Sequence, residues 1–211
     1  MARLLAFALL PAFALSGCAT SRDVVAPPTA ERPNDSWRAL ATDDDRGRLR
    51  RWRDAWVEAL AKARAAGHGD DIAREGALLE PDAALAGARL PPGDYRCRTI
   101  KLGARTAGSP DYAADPARRC RVRANGTRLR FTRLDGPQRP IGVLFPDTGR
   151  RLVFLGTLQL GDEALALRYS RDTERDMAGV VERVGDDRWR IVLPYPHFES
   201  LLDVIELTPS R

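Results

Sequence analysis

From residue 93 to the end of the chain, apolar side chains tend to recur at every second position, in runs separated by short turn sequences. A period of two is the spacing of a β-strand whose two faces meet different surroundings. Asn125-Gly126 is the strongest short hairpin signal, because both residues accept the positive φ of a type I′ turn. The pattern predicts roughly eight or nine antiparallel strands, enough to close a small barrel and remove its exposed edges. An open, twisted sheet with a helix on one face is the alternative.

The strands are predicted from their alternation and from the Gly and Asp residues between them. They cover residues 93–99, 120–123, 129–131, 141–145, 152–160, 164–169, 177–184, 189–193 and 201–207. The charged stretch 170–176 is predicted as a loop or a short helical turn. The fold class is therefore α+β, because helical patterns precede this meander.

The helical pattern begins at Thr42, which has Asp45 three residues later in the arrangement of a capping box. It ends before Gly67, a residue that accepts the left-handed conformation of a helix stop. One face carries an apolar stripe, predicted to be core, at Leu49, Trp52, Trp56, Leu60 and Ala63. A second, shorter helix is predicted over residues 72–79.

The first seventeen residues have the pattern of an export signal, with Arg3 before an apolar run over residues 4–15. The run is too short to span a bilayer, which needs about 20 apolar residues. It ends in Leu15-Ser16-Gly17-Cys18, which resembles the lipobox of bacterial lipoproteins and predicts acylation of Cys18. Ala19, rather than Asp, favours the outer membrane, facing the periplasm. An ordinary secretory signal is the alternative.

These patterns divide the chain into four parts. We predict a signal peptide over residues 1–17, a proline-containing tether over 18–36, a helical segment over 37–90 and an antiparallel β domain over 91–211. The formal net charge is +5, and lysine occurs only at Lys62 and Lys101, so arginine supplies nearly all of the positive charge. Export makes nucleic acid an unexpected partner, and this arginine bias is typical of a GC-rich genome.

With Cys18 acylated, Cys97 and Cys120 remain as a pair in an oxidising compartment, which predicts a disulfide. A reactive thiol or a metal site is the alternative. Six arginines occur in pairs at i and i+2, so each pair shares one face of its strand. They form a candidate anion-binding patch, or else an ordinary solvated outer face: Arg96, Arg98, Arg121, Arg123, Arg128 and Arg130.

The sequence carries no motif for a metal, a cofactor or a catalytic nucleophile, so we expect no cofactor. His197 is the residue on which a hydrolase could be built. It would need a serine such as Ser170 or Ser200, and an acid such as Asp172 or Asp203. A packed or turn-capping histidine is the simpler interpretation.

Several stretches resemble a family of Gram-negative envelope proteins that is known as a domain of unknown function (number 4893). They are Arg51-Trp52-Arg53-Asp54-Ala55-Trp56, Pro92-Gly93-Asp94-Tyr95-Arg96-Cys97-Arg98, Gln138-Arg139-Pro140 and the tail from Leu193 to Leu207. The resemblance implies an envelope location and one domain over most of the mature chain. It implies no activity, cofactor or catalytic residue.

Three functions follow as hypotheses. The first is a membrane-anchored, non-enzymatic module that binds, inhibits or scaffolds a periplasmic protein or an anionic envelope component. The second is a carrier that holds a small apolar ligand inside the barrel, for which the interior side chains Leu129, Phe131, Phe154, Trp189 and Ile191 must line a void rather than fill it. The third is an envelope hydrolase that uses His197.

Overall fold

The computed structural model describes residues 36–210, so the predicted signal peptide, Cys18 and the tether up to residue 35 lie outside the described residues. Four helices come first: α1 (Trp37–Leu40), α2 (Asp43–Arg50), α3 (Trp52–Ala65) and α4 (Gly69–Glu75), the last followed by a 3₁₀ turn (Gly76–Leu78). None of the helices between Ser36 and Ser210 has the length and apolarity needed to cross a lipid bilayer.

Nine strands follow, in the order of the chain. They are β1 (Gly93–Ala104), β2 (Tyr112–Ala114), β3 (Arg118–Asn125), β4 (Arg128–Arg133), β5 (Gln138–Thr148), β6 (Arg151–Leu160), β7 (Asp176–Gly185), β8 (Arg188–Pro194) and β9 (Ser200–Pro209). All neighbours are antiparallel, and β9 pairs with β1 to close an eight-stranded barrel from β1 and β3–β9. The predicted α+β class and closed barrel are confirmed.

The small strand β2 lies outside this count and was not expected from the sequence. Along one edge of β1, β3 pairs with residues 93–97, and β2 pairs with residues 100–102. β2 therefore extends the hydrogen-bonded edge beyond the point where β3 leaves β1.

One predicted strand is wrong. Residues 164–169 form an irregular part of the connection between β6 and β7, with Leu165 83% exposed. The alternation of this stretch is real, but β6 already pairs with β5 on one edge and with β7 on the other, so no ladder position is left. Tyr169 instead donates a hydrogen bond to Asp45 of α2.

The helix predicted over residues 42–66 forms as two helices, interrupted at Arg51. Thr42 caps α2 as expected, since its Oγ1 accepts a hydrogen bond from the Asp45 backbone N–H at 3.2 Å. α2 packs against β7, whereas α3 packs against β1, β8 and β9. The interruption lets each helix follow its own strands around the curved barrel wall. The shorter helix, predicted over 72–79, forms slightly earlier as α4 and the 3₁₀ turn.

The predicted apolar stripe forms core, as expected. Trp56 is fully buried and packs with its neighbours on α3 against the outward side chains of β1, β8 and β9, among them Ile100, Val192 and Val204. Leu49 of α2 belongs to a second external cluster on β5, β6 and β7. Trp52 is half-buried between the two clusters, with the Arg151 guanidinium 4.2 Å from the centre of its ring.

A buried ion pair fastens the segment after the helices to the barrel. Arg190 on β8 and Glu182 on β7 both point outward and are fully buried, with Arg190 Nη2 2.7 Å from Glu182 Oε2. Arg190 also donates to four backbone carbonyls between residues 77 and 81. Burial lowers the pKa of Arg190, while Glu182 opposes that effect. These hydrogen bonds satisfy a guanidinium that would otherwise be costly to bury.

Candidate functional site

The inside of the barrel is apolar toward one end, which we call the dry half. Inward positions alternate along every strand, and in this half they are Tyr95, Cys97, Cys120, Val122, Phe131, Leu144, Phe154, Val181, Trp189, Ile191, Ile205 and Leu207. The fully buried Leu90, on the segment before β1, joins the same cluster. The polar tips of two aromatic residues are satisfied there, since Tyr95 donates to the Pro91 carbonyl and Trp189 to the Arg89 carbonyl.

Two glycines make room for the largest ring at the centre. Gly142 and Gly156 face each other across β5 and β6. A Cβ atom on either one would lie 2.5 Å from an atom of the Phe154 ring, closer than packing allows. The ring can therefore fold over both glycines and meet Phe131 edge to face, with centroids 6.0 Å apart.

The predicted disulfide is confirmed and lies in the dry half. Cys97 on β1 and Cys120 on β3 are bonded, with Cα atoms 5.9 Å apart. Both side chains are buried. The link joins neighbouring strands, and it leaves no thiol for the alternative of a reactive cysteine or a metal site among the described residues.

The other end of the barrel, which we call the polar mouth, has charged and polar groups at its inward positions. They are Thr99, Lys101, Arg133, Gln138 and Asp203. Lys101 and Asp203 are register partners on β1 and β9, with Nζ 4.0 Å from Asp203 Oδ2. Lys101 Nζ also donates to Gln138 Oε1 at 3.0 Å and to Glu199 Oε2 at 2.5 Å.

Asp203 is the most perturbed acid of the polar mouth. Burial raises its pKa to about 6, against the lowering influence of Lys101 and of the Ser200 hydroxyl, which donates to Asp203 Oδ1 at 2.5 Å. Glu199 and Asp115 add to the rise because they are like charges. Such a carboxyl changes its charge in mildly acidic solution, when most aspartates remain ionised.

Arg133 is the most buried cation of the polar mouth, with 3% of its surface exposed. Its Nη1 donates to Thr99 Oγ1 at 2.9 Å, and its Nη2 lies 3.6 Å from Asp115 Oδ2. Its Nε has no hydrogen-bond partner among the described residues. Burial lowers the pKa of Arg133, and Asp115 opposes this. A buried polar group left unpaired costs about 1–3 kcal/mol. A ligand that accepted a hydrogen bond from this N–H would therefore gain binding free energy.

Two loops cover the polar mouth. The connection from β8 to β9 contributes His197 and Phe198, and the connection from β6 to β7 contributes Glu174 and Arg175. The cavity that remains below them has a volume of about 30 Å³, room for roughly two water molecules. The β8–β9 loop is flanked by Tyr195 and Glu199, both with positive φ (46° and 66°), a backbone conformation that is unusual for side chains of this size.

The structure does not assemble the triad considered for His197. Its Nε2 has no hydrogen-bond partner among the described residues and lies 3.8 Å from Asp44 Oδ2 of α2. Ser200 is occupied with Asp203, and Ser170 donates its backbone N–H to Asp176. Within residues 36–210 there is also no group of three or more His, Cys, Asp or Glu that could hold a metal ion.

The six arginines of the candidate patch are not equivalent. Arg98 turns toward β9 and α4, where it donates to Glu206 and, through both terminal nitrogens, to Glu75. Arg121 donates through Nε to Asp94 at 2.5 Å. The Arg128 guanidinium lies 4.7 Å from the centre of the Phe145 ring.

The remaining three, Arg96, Arg123 and Arg130, are exposed. Arg123 and Arg130 are register partners on β3 and β4, and Arg96 faces Arg119 across β1 and β3. The outward side chains of β3 and β4 are exposed or half-buried, in contrast to the packed outer faces of β6–β9. We call Arg96, Arg119, Arg121, Arg123 and Arg130 the basic face; Asp94 and Asp135 are the carboxylates that pair with its members.

The sequence indicated the disulfide and four of the five arginines of the basic face, all but Arg119, but the polar mouth as a cluster was missed. The signal was present on β1, where Thr99 and Lys101 continue the inward phase of Tyr95 and Cys97. A lysine in phase with buried residues predicts a charged group inside the sheet. Its partners Gln138 and Asp203 lie on β5 and β9 and cannot be assigned before the strand order is known.

Comparison with known proteins gives one match. The family model described as "Domain of unknown function (DUF4893)" matches residues 37–207, which covers the helices and nearly all of the barrel. No curated protein matches the chain. No solved structure matches it either.

Proposed function

Because the chain belongs to the family of the domain of unknown function DUF4893, which carries no activity with it, we propose a function from the chain's own residues: a non-enzymatic binding module of the bacterial envelope. In this proposal the chain is exported, acylated on Cys18 and held at the outer membrane on its periplasmic side. The basic face then binds the phosphate groups of anionic phospholipid headgroups in that membrane. The exposed, unpaired arginines of the basic face carry the proposal.

The charge arrangement supports this choice. Arg123 and Arg130 lie side by side on neighbouring strands, and no carboxylate lies within 4.0 Å of either among residues 36–210. Planar guanidinium groups bind phosphate through two parallel hydrogen bonds. Each basic side chain near an anionic membrane surface contributes about 1 kcal/mol. A lipid anchor and a basic surface together hold a protein on a membrane more durably than one acyl chain does.

The carrier of an apolar ligand receives no support from the barrel interior. The side chains Phe131, Phe154 and Ile191 are fully buried against one another and fill the dry half. An apolar ligand site usually needs about 300 Å³ or more, whereas the cavity at the polar mouth measures about 30 Å³. A larger groove of about 340 Å³ lies between the segment 87–90 and the hairpin tips, open to solvent.

The anchor is tested by metabolic labelling with radioactive palmitate. We expect label on the wild-type chain and none on Cys18→Ser, with the labelled protein in the outer-membrane fraction. An unlabelled chain released from the periplasm by osmotic shock would contradict the anchor.

The basic face is tested separately, on the Cys18→Ser chain, by co-sedimentation with phosphatidylglycerol-containing vesicles and with phosphatidylcholine vesicles. The double variant Arg123→Gln/Arg130→Gln should weaken binding to the anionic vesicles by about tenfold or more, because it removes two surface cations. The matched control Arg50→Gln/Arg64→Gln removes the same charge from exposed helix positions. Equal losses in the two double variants would show that net charge, not the basic face, is responsible.

A further inference from the structure

The polar mouth contains buried polar atoms without a hydrogen-bond partner. In the described part of the chain, Arg133 Nε–H is an unpaired donor and Asp176 Oδ2 is an unpaired acceptor; His197 Nε2 is also unpartnered, and its tautomer decides whether it donates or accepts. Lys101 has three N–H groups, of which Gln138 and Glu199 accept two. Lys101, Arg133, Asp176 and His197 line the same cavity. A ligand that supplies acceptor oxygens would therefore satisfy more of the site than one that supplies donors.

The approach to these donors is apolar. Pro140 and Leu158 form part of the cavity wall, with Met177 beside them and Phe198 on the covering loop. Phe198 is 44% exposed, so the apolar lining continues to the protein surface. The cavity itself is only about 30 Å³, which fits a small head group but not a whole organic molecule. The rest of such a ligand would lie along the apolar lining, beneath Phe198.

We propose that the polar mouth is a binding site for a small carboxylate with a short apolar tail. The carboxylate accepts hydrogen bonds from Arg133 Nε and from the third N–H of Lys101, and His197, in its Nε2–H tautomer, is a further donor at the entrance. The tail packs on Leu158, Met177 and Phe198. This site is independent of the basic face, because the arginines of that face point outward and Arg133 points inward.

Proton uptake by the site strengthens the argument. Asp203 has a pKa of about 6, raised by burial and opposed by Lys101, and burial also raises the pKa of Asp176. The charged and titratable groups around them are Asp45, Arg48, Lys101, Asp115, Arg133, Asp172, Glu174, Arg175, His197 and Glu199. Protonation of Asp203 removes a negative charge beside the Lys101 ammonium. An anion therefore binds more tightly as the pH falls through the pKa of Asp203.

The test is calorimetric titration of the full chain, purified in a non-ionic detergent, with octanoate and with octanamide. Octanamide has the same tail but no negative charge. We expect saturable binding of octanoate, at least tenfold weaker binding of octanamide, and tighter octanoate binding below the pKa of Asp203 than above it. Equal binding of the two compounds, or no saturable binding of octanoate at either pH, would overturn the proposal.

Two variants locate the site. Arg133→Lys keeps the positive charge but removes Nε–H, and should weaken octanoate binding about tenfold. Arg64→Lys, at an exposed position of α3 outside both the polar mouth and the basic face, is the matched control and should leave binding unchanged. His197→Ala, on the covering loop, serves if Arg133→Lys does not fold. Unchanged affinity in the folded polar-mouth variant, or the same loss in Arg64→Lys, would count against the polar mouth.

Discussion

The dry half and the polar mouth are built from the same strands, yet the inward side chains are apolar in the first and charged or polar in the second. In the dry half, the inward side chains pack on one another and on Leu90, and the polar tips of Tyr95 and Trp189 are satisfied by backbone carbonyls. In the polar mouth, Lys101 Nζ lies 4.0 Å from Asp203 Oδ2, too far for a hydrogen bond, and Arg133 Nε has no hydrogen-bond partner among the described residues. Burial of apolar area stabilises the first region, whereas burial of charge costs free energy in the second. The barrel therefore has a stable half that can support a half suited to binding.

The largest expected effect is a cavity in the dry half. Phe131→Ala removes a fully buried ring that meets Phe154 edge to face, and should lower the free energy of unfolding by about 3–5 kcal/mol. Gln138→Ala, its counterpart at the polar mouth, should cost less than about 1 kcal/mol. Urea denaturation followed by circular dichroism measures both. Equal costs would mean that the two halves do not differ in the way described.

Removal of the disulfide is expected to be the next largest change. Cys97 and Cys120 close a loop with a sequence separation of 23 residues, which stabilises the folded state by about 3 kcal/mol on the chain-entropy model. The double variant Cys97→Ala/Cys120→Ala should lose this amount in urea denaturation. Dithiothreitol should lower the denaturation midpoint of the wild type and leave that of the double variant unchanged. A shift of the double variant would show that the reductant acts elsewhere.

Asp203→Asn should raise the free energy of unfolding, whereas the preceding substitutions lower it. The folded state raises the pKa of Asp203 from 3.8 to about 6, so it binds this proton more tightly than the unfolded chain does. Stability therefore falls as the pH rises from 3.8 to about 6, and the penalty stays constant above that. Above pH 6 the isosteric asparagine should raise the free energy of unfolding by about 1–3 kcal/mol; below the unfolded pKa it should change little.

Asp135→Asn is the control, because it should change the free energy of unfolding in the opposite direction to Asp203→Asn. The pKa of Asp135 is lowered, because hydrogen bonds from Arg119 outweigh its partial burial. Its contribution to stability is present above the unfolded pKa and is lost as the pH falls through the lower folded value. Its asparagine variant should therefore be slightly less stable than the wild type at neutral pH. If the free energies of unfolding of the two variants, relative to the wild type, changed with pH in the same direction, Asp203 would not be an acid whose pKa is raised by burial.

The smallest effect is expected at the covering loop. His197 Nε2 makes no hydrogen bond within the described residues, so His197→Ala should change the free energy of unfolding by less than about 0.5 kcal/mol. Thermal denaturation is sufficient to detect a larger change. A loss above about 2 kcal/mol would mean that His197 contributes to the stability of the fold rather than lying at the entrance of a site.

The sequence predicted those parts of the fold that are encoded locally. Asn125-Gly126 located the hairpin between β3 and β4, and Thr42 located the start of α2, since each depends on neighbours in the chain. The predicted type I′ turn at Asn125-Gly126 was wrong in its residues: Asn125 still pairs with Arg128, so the turn residues are Gly126 and Thr127, and of these only Gly126 has a positive φ (62°). The strand predicted over residues 164–169 was wrong because pairing, not alternation, decides whether a strand forms, and β6 and β7 were already paired. The polar mouth was missed for a related reason. Lys101 and Asp203 become neighbours only when β9 closes on β1.

The pairing of β9 with β1 also determines when the barrel can be completed as the chain is made. This ladder joins the first and last strands, so the barrel has a high contact order and folds late. During synthesis, which proceeds from the N-terminus, the helices and Cys97 are made first and residues 200–209 are made last. Until then, β1 and β8 present open edges that can pair with other chains. The pairing of the C-terminal strand is thus the step at which completion of the barrel and protection from aggregation coincide.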